Sequence, residues 1–218
     1  MEHDFWIERW ELGETGFHQN EINPYLVSHW KNLNPPYESK VFVPLCGKSQ
    51  DMVWLHKQGH SIIGVELSQI AVEAFFEEFV QAPNIVRCEA FDQYETDRIT
   101  IWCGDFFDLE KIELDGVNLV YDRASLIALP PEMRGNYVRH LAGILAPKTQ
   151  ILLITMDYPQ HEMSGPPFAV SVAEVETLYG NYADIRLLSQ HDVLAQNPRF
   201  QRRGISRMNE NIFQVILR

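Results

Sequence analysis

The stretch VFVPLCGKSQDM, residues 41–52, decides how the chain is read. Val41, Phe42 and Val43 form a short β-branched and aromatic run of the kind that makes a buried strand. Gly47, Lys48 and Ser49 interrupt it, and a helical pattern follows at once in SQDMVWLHKQG. A strand that enters a helix through a glycine loop is a common setting for a phosphate or nucleotide. The two standard phosphate loops do not fit. A P-loop needs a glycine five residues before Gly47, where this chain has Phe42. A dinucleotide loop needs G-x-G-x-x-G, and Gly47 stands alone in PLCGKSQ. Nucleoside triphosphate and nicotinamide chemistry are both disfavoured.

Outward from this loop, strands and helices alternate. SIIGVEL reads as a second strand, and SQIAVEAFFEEFVQ as a helix with Ser68 placed as its N-cap. In NIVRCEAFDQYETDRITIWCGD, the pieces RCEAF and RITIW flank a polar turn and predict an inserted hairpin whose second arm continues as a core strand. GVNLVYD is the next strand. PPEMRGNYVRHLAGIL opens on prolines suited to a first helical turn, and QILLITMDY follows as a buried strand. Ser171 and Glu174 suggest a capping box, with Gly180 as the helix stop. ADIRLLSQHDV and NIFQVILR are two strands with no helical pattern between them, which predicts an antiparallel pair. The pattern predicts an α/β fold: a doubly wound, Rossmann-like sheet, mostly parallel with an antiparallel C-terminal strand.

The 218 residues, 45% hydrophobic, suffice for one core, so one domain over 1–218 is expected. A net charge of -12 disfavours nucleic-acid and anionic-membrane surfaces, whose phosphates it would repel. The N-terminus MEHDFWIERWELG lacks a basic then apolar signal pattern, and no apolar run is long enough to span a bilayer, so a cytoplasmic location is expected. Cys46, Cys88 and Cys103 are too few and scattered for a disulfide framework or zinc site and read as packing residues. His56 and His60 have i, i+4 spacing, but Gly59 intervenes and no acid follows His56, so no metal is expected.

Ligands of open α/β sheets lie beyond the carboxyl ends of the strands. Glu66 ends the second strand about 20 residues after Gly47, where a carboxylate can accept from ribose hydroxyls. An acid there, beside a loop unsuited to pyrophosphate, points to an adenosine without phosphates, with S-adenosylmethionine as the candidate. In CGDFFDL, Asp105 can accept from an adenine amino group while Phe106 or Phe107 lies on the ring; core packing is the plainer reading of the aromatics. Arg123 follows Asp122 at the fourth strand end, either in the cleft or in a surface ion pair.

FWIERWELGETGFH, VPLCGKSQDMVWL, GVELS, CGDFF, YDRASLIALP and SGPPF, in this order over essentially the whole chain, resemble the thiopurine S-methyltransferases, especially bacterial ones. The resemblance implies a class I S-adenosylmethionine-dependent methyltransferase, with an aromatic or heterocyclic thiol as acceptor and a small-molecule-binding monomer as the working unit. It implies donor-binding positions at Trp10, Leu45, Glu66 and Arg123, with Cys46, Gly47, Leu67 and Asp105 with Phe106 completing the cradle. It also implies that residues 1–39 form a helical lid over a core at 40–218, with Phe17 facing the acceptor. NPRFQRRG offers Arg199, Arg202 and Arg203 for the acceptor; Arg199 matches best by its distance from the following glycine. Arg123 and Arg199 are the candidates for stabilising a thiolate. Selenium or tellurium species as the natural acceptors, and a non-catalytic adenosine-binding module, are the alternatives.

Overall fold

The structure is a computed structural model that describes residues 3–16, 18–19, 21–79 and 82–218. Two compact units divide the chain, Met1–Tyr121 and Asp122–Arg218.

The first unit opens with helix α1 (His3–Glu11) and helix α2 (Pro24–His29), the latter continuing into a 3-10 turn at Trp30–Leu33. Asn23 caps α2, its side-chain oxygen accepting from the Tyr25 and Leu26 N–H groups at 2.9 and 3.3 Å, and Pro24 suits the first helical turn. Trp30 is buried and donates its indole N–H to Nε2 of buried His60 at 3.1 Å. His60 is therefore an anchor for the N-terminal segment, and burial holds its pKa below the usual range.

Strand β1 (Lys40–Val43), helix α3 (Gln50–Lys57), strand β2 (Ser61–Glu66) and helix α4 (Gln69–Phe79) follow as the sequence predicts. Ser49 caps α3 and Ser68 caps α4 through their hydroxyls. Gly59, at φ +94°, takes the left-handed conformation that ends α3. The hairpin is present with a different register. Its strands are β3 (Asn84–Arg87) and β4 (Asp92–Glu95), so RCEAF supplies the turn, closed by Cys88 N–H to Phe91 C=O at 2.8 Å. DQYE, expected as turn, pairs with both neighbours because Tyr94 is buried on its inward face. β5 (Ile99–Cys103) and β6 (Val117–Arg123) complete the unit's strands, and the last two residues of β6 begin the second unit. The strand order is β3-β4-β5-β2-β1-β6, with β5, β2, β1 and β6 parallel. Of the three cysteines, Cys46 is buried and Cys103 half-buried, but Cys88 sits on the hairpin turn and is exposed, so packing does not account for it.

The second unit continues with α5 (Ser125–Ala128), α6 (Pro131–Ile144), β7 (Gln150–Asp157), α7 (Val172–Tyr179), β8 (Ala183–Asp192), α8 (Pro198–Arg202) and β9 (Asn209–Leu217). β9 lies between β7 and β8 and is antiparallel to both. The short α8 interrupts what reads from sequence as a plain connection; Phe200 buried against Tyr158, Ile205 and Met208 gives it a small core. Ser171 caps α7, accepting from Glu174 N–H at 3.2 Å. The Glu174 carboxylate turns instead to the guanidinium of Arg134. Arg134 is fully buried and also donates to the carbonyls of Leu126, Leu129 and Ala169, so one side chain ties α5, α6 and the loop before α7 together.

Asp122 is wholly buried and accepts from the Tyr137 hydroxyl on α6 at 2.7 Å. Burial pushes its carboxyl up to about 6 from an ordinary 3.8, against the opposing bonds from Tyr137 and Ser125. The unfolded chain therefore releases this proton first as pH rises. The contribution to stability is complete below the unfolded value and is lost as pH climbs through about 6, a change on the order of 3 kcal/mol. Urea unfolding from pH 4 to 7.5 should show the wild type losing stability relative to Asp122→Asn across that window; parallel curves for the two proteins would remove Asp122 as the source.

Candidate functional site

The loop after β1 is held in an unusual backbone shape. Leu45 and Gly47 both have positive φ, 47° and 51°. For leucine this is a rare conformation, and neighbouring bonds hold it: Cys46 N–H to Val65 C=O at 2.9 Å and Ser49 N–H to Cys46 C=O at 3.2 Å. A Cβ on Gly47 would lie 3.4 Å from the ring of Trp10, which is 7% exposed. Trp10, on α1, therefore rests directly on the loop. Gly64 in β2 is a residue the sequence reading missed: a Cβ there would come within 2.8 Å of Cys46 Sγ, so its bareness lets the cysteine seat over β2. The signal was a glycine inside a strand, which commonly marks close approach.

Glu66 closes the other side. Its carboxyl accepts from Gly47 N–H at 2.8 Å and from Ser68 N–H at 2.9 Å, one oxygen to each. Burial raises its pKa, and the N–H groups of Ser68, Gly47 and Leu67 pull in the opposite direction. Since a carboxylate offers about four acceptor positions, capacity remains for a hydroxyl donor. Leu67, half-buried, follows it.

At the end of β5, Gly104 serves a close approach rather than a turn. A Cβ would meet Phe91 at 2.5 Å and the Ala90 carbonyl at 2.7 Å, and Gly104 N–H donates to Glu66 C=O at 2.9 Å. The Asp105 side chain caps the 3-10 turn Phe106–Asp108 by accepting from Phe107 N–H at 2.9 Å. Phe106 is buried and makes an edge contact with half-buried Phe107, centroids 5.3 Å apart. The first unit thus brings together Trp10, Leu45, Cys46, Gly47, Glu66 and Leu67 around the carboxyl ends of β1 and β2, with Asp105 and Phe106 after the adjoining β5.

In the second unit, half-buried Arg123 is the last residue of β6, just before Ala124 takes a left-handed turn at φ 73°. At the start of β9, burial raises the Glu210 pKa, and the charges of Arg123 and His191 oppose the rise. Glu210 was not among the residues singled out from sequence, because MNEN carries no motif. Arg199 lies on α8 with its guanidinium 4.6 Å from the centroid of the Phe200 ring, and partial burial and the neighbouring Arg203 lower its pKa. Arg203 contacts the Met163 sulfur at 3.7 Å, and Arg202 bonds the Pro198 carbonyl within its own helix. Phe17 lies outside the described residues. Phe5 and Trp6 are half-buried on α1 in an edge-to-face pair.

Among the described residues, no group of three or more His, Cys, Asp or Glu side chains is placed to hold a metal ion, and no helix is long and apolar enough to cross a membrane. The sequence matches the profile of the family described as Thiopurine S-methyltransferase (TPMT) over residues 1–217. It is 59% identical to a thiopurine S-methyltransferase of Nitrosospira multiformis, over 100% of this chain and 99% of that one. Against the protein of the same name from Marinobacter nauticus it is 48% identical, over 99% of each. In fold it is similar to a SAM-dependent methyltransferase from Anabaena variabilis, with a TM-score of 0.67 at 13% identity, over 99% of this chain and 95% of that one. The chain belongs to the thiopurine S-methyltransferase family and is an S-adenosylmethionine-dependent methyltransferase.

Proposed function

We propose that the chain methylates the sulfur of thiopurines and other aromatic or heterocyclic thiols, working as a cytoplasmic monomer with residues 1–39 as a lid on a single methyltransferase domain. The observation that carries the donor site is Glu66, a buried carboxyl at the end of β2 with one oxygen bonded to Gly47 N–H and the other to Ser68 N–H. That arrangement fits a ribose. The loop beside it has a glycine whose Cβ position lies 3.4 Å from the Trp10 ring, so backbone and an aromatic wall are both at hand. Trp10, Leu45, Cys46, Gly47, Glu66, Leu67, Asp105, Phe106 and Arg123 are the residues assigned to holding S-adenosylmethionine, which supplies a sulfonium-activated methyl group.

The work left to the protein is alignment and exclusion of water. Methyl transfer to an ionised sulfur needs no base, because the thiolate has already lost its proton and its electron pair displaces the sulfonium leaving group directly. A fixed arginine stabilises such a thiolate without taking a proton. Arg123 and Arg199 are assigned that task, and Arg199 with Phe17 is assigned to the acceptor. The Phe200 ring, 4.6 Å from the Arg199 guanidinium, supports this reading, since a cation–π contact restrains the side chain.

Two measurements test the assignment. Glu66→Ala should weaken S-adenosylhomocysteine binding by at least tenfold, about 1.4 kcal/mol; an unchanged Kd would sink the ribose role. Arg199→Ala should raise the KM for 6-mercaptopurine at least fivefold and leave the S-adenosylhomocysteine Kd within twofold. Wild-type binding of the product without turnover of 6-mercaptopurine would redirect the acceptor to selenium or tellurium species, to be assayed with selenite and tellurite.

A further inference from the structure

Asp51 has no part in the site described above, yet it is 2% exposed and joins three distant pieces of the first unit. It lies in the first turn of α3, two residues beyond the cap Ser49, whose hydroxyl accepts from Asp51 N–H at 3.2 Å. One carboxyl oxygen accepts from Asn23 N–H at 2.8 Å and the other from the Tyr121 hydroxyl on β6, also at 2.8 Å. Asn23 uses its own side chain to start α2, so a single residue is both the cap of that helix and the point where the N-terminal segment is tied down.

Upstream of Asn23 the segment has two other seats in the same unit. α1 packs against α4, and Trp10 of α1 rests on Gly47. The loop under Trp10 is the one that runs into α3 through Ser49. Asp51 therefore sets the distance between the end of the segment and the start of the helix that fixes the loop. A buried carboxyl is a costly way to fill space unless its bonds serve a purpose. Here they hold a backbone N–H from 28 residues away and a hydroxyl from 70 residues away on one carboxyl group.

We infer that Asp51 is a positioning residue, which seats the N-terminal segment and its Trp10 on the donor loop through Asn23. The inference rests on the reading of Leu45, Cys46 and Gly47 as part of the donor cradle. Asparagine at 51 retains an oxygen for Asn23 N–H and offers its amide to the Tyr121 oxygen, so it should rescue what alanine loses.

The test combines S-adenosylhomocysteine titration with hydrogen exchange on the full chain. Asp51→Ala should raise the Kd at least fivefold and speed exchange across residues 5–16, abolishing the protection that the product gives that segment in the wild type. Asp51→Asn should stay within twofold of wild type in both readouts. If Asp51→Ala does not fold, Asn23→Pro and Asn23→Ala make the same comparison: at φ -60° proline fits the backbone but removes the N–H, whereas alanine removes only the cap. Proline should then behave as Asp51→Ala was expected to, and alanine should lie close to wild type. A lower Tm with unchanged Kd and unchanged exchange at 5–16 would overturn the inference and leave Asp51 a stabilising residue only. A wild-type protein that does not bind S-adenosylhomocysteine would instead overturn the donor-site reading itself.

Discussion

The structure of the first unit turns on the carboxyl group of Glu66. Two backbone N–H groups, from Gly47 and from Ser68, converge on it at 2.8 and 2.9 Å. One belongs to the loop that leaves β1, the other to the first turn after β2. The carboxyl thus locks two neighbouring strand ends together at the edge where open α/β sheets bind their ligands. Leu45 and Gly47 adopt left-handed conformations to bring the Gly47 N–H round to it, and Gly64 gives Cys46 the room it needs. Removing the acid would therefore alter the loop as well as any ligand bond. For that reason its effect must be read against variants that act on the acceptor alone.

The second unit places its charges differently. Arg134 is buried and its bonds to the carbonyls of Leu126, Leu129 and Ala169 are structural. Arg123 sits one residue after buried Asp122, so the alternation of β6 sends the two side chains to opposite faces. The buried one is fixed by Tyr137, and the next is half-buried. A strand end with an anchored acid on one face is well suited to hold an arginine steady on the other.

Much of this was legible because strong local signals agreed. Ser68 and Ser171 announced helix starts, and the spacing from Gly47 to Glu66 marked the strand end. The hairpin register was not legible, since DQYE lacks an apolar run and pairs only because Tyr94 finds a buried face. Helix α8 was missed for a related reason: five residues carry too little periodicity, and Phe200 acquires meaning only against Tyr158 and Met208. Asp51 escaped because its partners, Asn23 and Tyr121, are remote in sequence. No motif encodes a contact of that kind.

The charge distribution bears on the acceptor. A chain of net charge -12 repels anions at long range, so an ionised sulfur would approach against the overall field. Local cations must reverse that potential near the reacting atom. Four arginines, Arg199, Arg202, Arg203 and Arg207, fall within nine residues, of a total of 18 lysines and arginines. Arg207 is ion-paired with Asp157 at 3.1 Å, which fixes the far end of the segment to β7. Glu162 adds two bonds to Ser206, from its N–H at 2.8 Å and its hydroxyl at 2.6 Å. The basic segment is therefore tied at its C-terminal end and packed through Phe200 at the other, so Arg199 stands on a braced element. On the reading of a thiolate acceptor, bracing matters as much as charge: a guanidinium that must be reorganised during the reaction stabilises less than one already in place.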